Sequence, residues 1–130
     1  MVPIPVVGQV SAGWSEPAEP VVDGCVEIDG EVLRLPQNAR TFALKVRGDS
    51  MRGAGIFDGD YVILEFRPAQ AGEIVAALID GENALKRYVV QNGQPFLKAE
   101  NPRFPALIPA RELVIQGVMV ALLRIIRDKR

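Results

Sequence analysis

The sequence predicts a mainly β fold: a small, twisted, mostly antiparallel β domain with one short helix. Three observations carry that expectation. Apolar residues recur in short alternating runs, the period-two signature of half-buried strands. Asp-Gly and Asn-Gly pairs punctuate those runs, as tight hairpins require. Helix signals are poor outside one Asp-Ser pair. With 130 residues, 48% of them hydrophobic, the chain has the size of one domain and can bury a core without staples.

Residues 1–36 read as an arm with short strands. From Ala12 to Pro36 the arm is rich in Pro, Gly and acidic residues and poor in long apolar runs. Residues 37–130 read as the β core of the same domain. "TFALKVR" opens it, with Phe42, Leu44 and Val46 on one face and Ala43, Lys45 and Arg47 on the other. In "VRGDSMRGAGIFDGD", Asp49 or Ser50 can cap a short helix opening at Ser50. Asp58-Gly59 then turns the chain into the strand "DYVILEF". "EIVAALI" and "NALKRYVV" form a hairpin around Asp80-Gly81, and the next hairpin turns at Asn92-Gly93. "ENPRFPALIPA" reads as a loop lying over the body. "ELVIQGVMVALLRII" closes the chain as one or two apolar strands, either an edge suited to pairing with a second copy or a central strand.

Absences narrow the chemistry. There is no histidine, which removes Ser-His-Asp and Cys-His catalysis and most zinc sites. The lone Cys25 forms no intrachain disulfide and no metal cluster, and fits a reducing compartment. No metal or cofactor is expected. A net charge of −1 argues against a nucleic-acid-binding surface covering the domain. The N-terminus lacks a secretory signal. The uncharged run Leu113–Leu123 is too short to span a membrane, so a soluble, cytoplasmic protein is expected.

A serine hydroxyl is a poor nucleophile until a base takes its proton. Without histidine the candidate bases are carboxylates and four lysines: Lys45, Lys86, Lys98 and Lys129. Lys86 shares a strand face with Ala84, Tyr88 and Val90, against Leu85, Arg87 and Val89 on the other, and alternation alone does not decide which face is the core. If Lys86 is buried, desolvation lowers its pKa. To act as a base near neutrality it must fall from about 10.4 to about 7, a change worth about 4 kcal/mol. A helix start at Ser50 would add backbone N–H donors for an oxyanion. Taken singly, a serine at a helix start is most simply a cap, and a strand lysine most simply an exposed one.

The combination is more specific. "LKVRGDSMRGAGIFDGDYVIL", "GEIVAALIDGENALKRY", "LKAENPRFPALIP" and "IQGVMVALLRIIR" follow "VPIPVVGQVSAG" in order, and over almost the whole chain they resemble the C-terminal catalytic domain of the LexA/UmuD family of self-cleaving serine peptidases. The resemblance implies Ser50 as nucleophile and Lys86 as general base, with the backbone N–H of Ser50 and of Asp49 or Met51 holding the oxyanion. It implies Ala12–Gly13 as the scissile bond, Val10 as the apolar anchor of the cleavage segment, and the N-terminal arm as the chain's own substrate. It further implies a homodimer, and stimulation by RecA filaments on single-stranded DNA in the SOS response. Family repressors carry a helix-turn-helix domain ahead of this one, whereas twelve residues precede Gly13 here, so direct DNA binding by this chain is not expected. Ala12–Gly13 resembles the LexA side of the family; the missing DNA-binding domain resembles a UmuD-like polymerase accessory protein. A non-enzymatic dimerisation or binding module is the alternative from a different class.

Overall fold

The apolar runs become the strands of one mixed sheet in a computed structural model of the protein, which describes residues 1–7 and 22–126. In chain order these are β1 (Val2–Val7), β2 (Val22–Ile28), the single-turn helix α1 (Gly30–Leu33), β3 (Thr41–Lys45), β4 (Tyr61–Glu65), β5 (Ile74–Ile79), β6 (Glu82–Gln91), β7 (Gln94–Lys98) and β8 (Leu113–Leu123). The strands lie side by side as β2-β1-β3-β4-β8-β5-β6-β7. Every pairing is antiparallel except β1 with β3. The β1–β3 pair is parallel because the chain leaves β1, returns along β2 and only then enters β3.

Turn chemistry sets the register of both hairpins. At the β5–β6 turn Asp80 has φ 48° and Gly81 φ 87°, the left-handed pair that a two-residue hairpin loop needs. The Asp80 carboxylate also accepts from the N–H groups of Ala110, Arg111 and Glu112, at 2.7 to 3.0 Å, and so ties the start of β8 to this turn. These donors hold its pKa below the usual carboxylate value. The Asn92-Gly93 turn has the same form.

The sheet buries both faces. Phe42, Val62 and Leu64 point to one side, where Met51 and Ile56 cover them. Ala43 and Ile63 point to the other side with Ile4 and Val6, beneath Leu33 of α1. The alternation of "TFALKVR" is therefore real, but at Phe42 and Ala43 both faces are interior. A third cluster of Val75, Ala77, Ile79, Leu97 and Val118 underlies the 100–110 loop, whose Leu107 bridges to Leu97.

Two local features differ from the sequence reading, and one alternative it left open is settled. The helix expected at Ser50 is one 3-10 turn, Arg52–Ala54, preceded by Met51 without any side-chain cap. Neither Asp49 nor Ser50 caps it, because the Ser50 hydroxyl is engaged elsewhere. A helix turn that the sequence reading missed, α1, has a true cap: the Asp29 carboxylate accepts from the Glu31 N–H at 2.9 Å. Of the two places left open for the C-terminal apolar strand, β8 takes the central one, between β4 and β5 in the sheet order. Its first half, from Leu113 to Val118, pairs with β5, and its second half, from Val118 to Leu123, pairs with β4.

Candidate active site

Ser50 sits on the loop between β3 and β4, and Lys86 on β6, four places from β3 and three from β4 in the sheet order. What brings them together is the loop folding back over the sheet face. Met51 drives this: its side chain is 2% exposed, inserted among Phe42, Val62 and Leu64. Burying a side chain of that size is worth about 1.5–3 kcal/mol, enough to hold the preceding residue at a fixed height above the sheet.

Hydrogen bonds then fix the loop at both ends. On the β4 side, the Asp58 carboxylate accepts from the Gly48 N–H at 2.8 Å. The Val46 N–H donates to the Asp60 carbonyl at 2.7 Å, and the Gly59 N–H to the Val46 carbonyl at 2.9 Å. The buried Asp60 carboxylate accepts from the Phe57 N–H at 2.8 Å and from Arg124 at 2.7 and 2.8 Å. The Arg124 hydrogen bonds hold the Asp60 carboxyl below its usual pKa. On the far side, the Asn101 amide donates to the Asp49 carbonyl at 2.9 Å, and the Gly53 N–H donates to the Glu100 carbonyl at 2.6 Å. A side chain on residue 53 would place its Cβ 2.5 Å from that Glu100 oxygen, so glycine is required there.

Lys86 is placed by ladder register. It pairs with the fully buried Val75, and its ammonium reaches Ser50, Nζ donating to Oγ at 3.0 Å. Ser50 and Lys86 lie in one groove of about 320 Å³ with an apolar wall of Leu44, Val46, Met51, Val62 and Leu85. Among the described residues no carboxylate pairs with Lys86. Burial without a counter-charge pushes its pKa down from 10.5, since nothing repays the ammonium for lost water. The sequence left the orientation of Lys86 open; here it is half-buried at the groove, while Arg87 turns to the Gly72 carbonyl and Glu100.

The backbone N–H groups of Asp49, Ser50 and Met51 have no acceptor among the described residues. A serine oxygen within reach of an amine of lowered pKa, next to idle backbone donors, is an arrangement able to activate a hydroxyl and receive an oxyanion. Val10, Ala12 and Gly13 lie outside the described residues. The sequence reading missed the roles of Asn101, Glu100 and Gly53, while Asp58 lies in the turn it placed at the end of this corner. The one local signal for them was the Asn-Pro pair at 101–102, which marks a turn without saying what it touches. No three described residues cluster as metal ligands, and no described helix is long and apolar enough to cross a membrane.

The chain that builds this groove matches a known peptidase family. The family model described as Peptidase S24-like covers residues 5–120, and the chain belongs to that family. Within it the chain is of the LexA type. It is 57% identical over 123 residues to the LexA repressor of Verrucomicrobium spinosum, covering 95% of this chain and 61% of that protein. It is 41% identical over 121 residues to the LexA repressor of Opitutus terrae, covering 92% and 60%. With the LexA repressor of Leptospira interrogans it shares 40% over 123 residues, covering 94% and 59%. The chain spans about three fifths of the length of these relatives.

Proposed function

We propose that this chain is the autoproteolytic Ser-Lys peptidase domain of a LexA-like SOS-response repressor, cutting its own arm at Ala12–Gly13. The observation that carries the reading is the 3.0 Å contact between Lys86 Nζ and Ser50 Oγ in a groove that lowers the lysine's pKa. Once Lys86 has lost its proton, the contact reverses: the Ser50 hydroxyl donates to the amine. Oγ then attacks the Ala12 carbonyl while Lys86 takes the proton. The N–H of Ser50, with that of Met51 or Asp49, receives the oxyanion. As the Ala12–Gly13 bond breaks, Lys86 returns the proton to the Gly13 amine. Water, deprotonated by Lys86, then hydrolyses the Ser50 ester. Small residues at 12 and 13 suit a narrow groove, and Val10 suits its apolar wall.

The arm must dock before it can be cut, so docking is a natural control point. A RecA filament on single-stranded DNA would promote cutting by binding the docked state better than the undocked one. A homodimer belongs to the same reading, as does a cytoplasmic setting. The second reading, a UmuD-like polymerase accessory, uses the same chemistry and differs in partner.

The test is incubation of the purified protein at about pH 9–10, with intact mass followed over time. Fragments 1–12 and 13–130 are expected, and none from Ser50→Ala or Lys86→Ala. A wild-type chain that stays whole refutes the peptidase reading. A Gly13→Asp variant that is still cut at the normal rate relocates the scissile bond.

A further inference from the structure

Resting on the peptidase reading, we infer that Asn101 is a positioning residue: it aims the Ser50 backbone N–H that receives the oxyanion. The Asn101 side chain has both ends committed. Its Oδ1 accepts from the Arg103 N–H at 3.0 Å, so its Nδ2 faces the Ser50 loop and donates to the Asp49 carbonyl at 2.9 Å. That carbonyl also accepts from the Arg52 N–H at 3.2 Å. Two donors from different directions fix the plane of the Asp49–Ser50 peptide. The peptide is trans, so its N–H points opposite to its carbonyl, and fixing one fixes the other.

The Arg52 bond is local to the loop and moves with it. Asn101 is the external reference. It belongs to the segment that follows β7, 52 residues along the chain from Asp49. The neighbouring Glu100 makes that reference stiff in two ways. Its carbonyl grips the Gly53 N–H at 2.6 Å, on the other side of Ser50. Its carboxylate lies 3.5 Å from Arg87, the residue beside Lys86 on β6. Glu100-Asn101 therefore touches the loop on both sides of the nucleophile and the strand that carries the amine. Its contribution is to direction: an oxyanion donor must already point at the place where charge develops, because reorienting it during the reaction costs part of the gain.

The test measures the first-order rate of self-cleavage against pH, by intact mass, for wild type, Asn101→Ala and Asn101→Asp. The wild-type chain decides the underlying reading first: if it is not cut, the peptidase proposal itself fails. If it is cut, Asn101→Ala should lower the high-pH plateau about 10- to 100-fold, with the midpoint of the pH profile unchanged. Asn101→Asp keeps the acceptor for the Arg103 N–H but cannot donate when ionised. It should remain as slow on the plateau as the alanine variant. Should Asn101→Ala not fold, the aspartate variant carries the comparison alone. A plateau within twofold of wild type, or full rescue by Asn101→Asp, overturns the inference. So does a rate loss that comes only from a shifted midpoint.

Discussion

The two halves of the groove are built by opposite means. Lys86 is placed by regularity. It is one rung of an uninterrupted β5–β6 ladder, with Val75 beneath it and Ala84 and Tyr88 packed along the same strand. Ser50 is placed by irregularity. Its loop has no ladder, and is held by a buried methionine, an aspartate on Gly48, an asparagine on Asp49 and a carbonyl on Gly53. A strand tolerates changes that keep the alternation, because each rung is supported by its neighbours. A loop tied at a few points loses its geometry when one tie is cut.

The largest expected effect falls on both halves alike. Ser50→Ala or Lys86→Met should lower self-cleavage by at least about 10³-fold, since the hydroxyl and the amine act as a unit. Equal residual rates in the single and double variants would confirm that they do.

Gly53→Ala comes next and separates the halves. The new methyl would collide with the Glu100 carbonyl, so the loop must lift from its clamp. Overpacking of this kind costs about 1–3 kcal/mol, and the cutting rate should fall about tenfold or more. A small change on the strand that carries Lys86 but away from the groove, at the exposed Val90 (Val90→Ala), should leave the rate within about threefold, because the ladder absorbs it. Equal sensitivity at the two positions would erase the contrast between loop and ladder.

Smaller effects concern charge. Arg124→Ala leaves the buried Asp60 carboxylate with only the Phe57 N–H, and should lower the thermal midpoint at neutral pH. Asp60 has a folded pKa below 3.8, so this stabilisation is present above that value and lost as pH falls through the folded pKa. The difference between wild type and variant should therefore shrink in acid, as followed by calorimetry. Lys86 titrates with the same sign of slope, but it is a cost that is relieved as pH rises rather than a gain that is lost as pH falls. Its folded pKa lies below 10.5, so between the two values the unfolded chain binds more protons and stability rises with pH. Lys86→Met should be more stable than wild type at neutral pH, with the gain fading as pH approaches 10.5.

The strands and both hairpins were legible in the sequence because period-two alternation and Asp-Gly or Asn-Gly turns are local signals. Ser50 and Lys86 stood out through the missing histidine and the resemblance of the surrounding segments. Which way Lys86 faces was not legible. β6 has apolar residues on both faces, and the Asp80-Gly81 turn that pairs Lys86 with Val75 does not say which face the Ser50 loop covers. The central place of β8 was hidden for a related reason: an apolar strand reads the same at an edge or in the middle. The clamp from Glu100 and Asn101 was illegible because it joins residues about fifty positions apart through backbone carbonyls, which carry no residue identity. The false cap at Ser50 shows the converse. A local rule assigned the hydroxyl to a helix start, and a contact 36 residues away claimed it instead.

The most direct test is the pH dependence of self-cleavage set beside the titration of Lys86 itself, followed through its side-chain carbon resonances by NMR. The cutting rate should rise with pH along one titration curve, with a midpoint below 10.5 that coincides with that of Lys86. A flat profile, or a midpoint that differs from the lysine's own, would contradict Lys86 as the base.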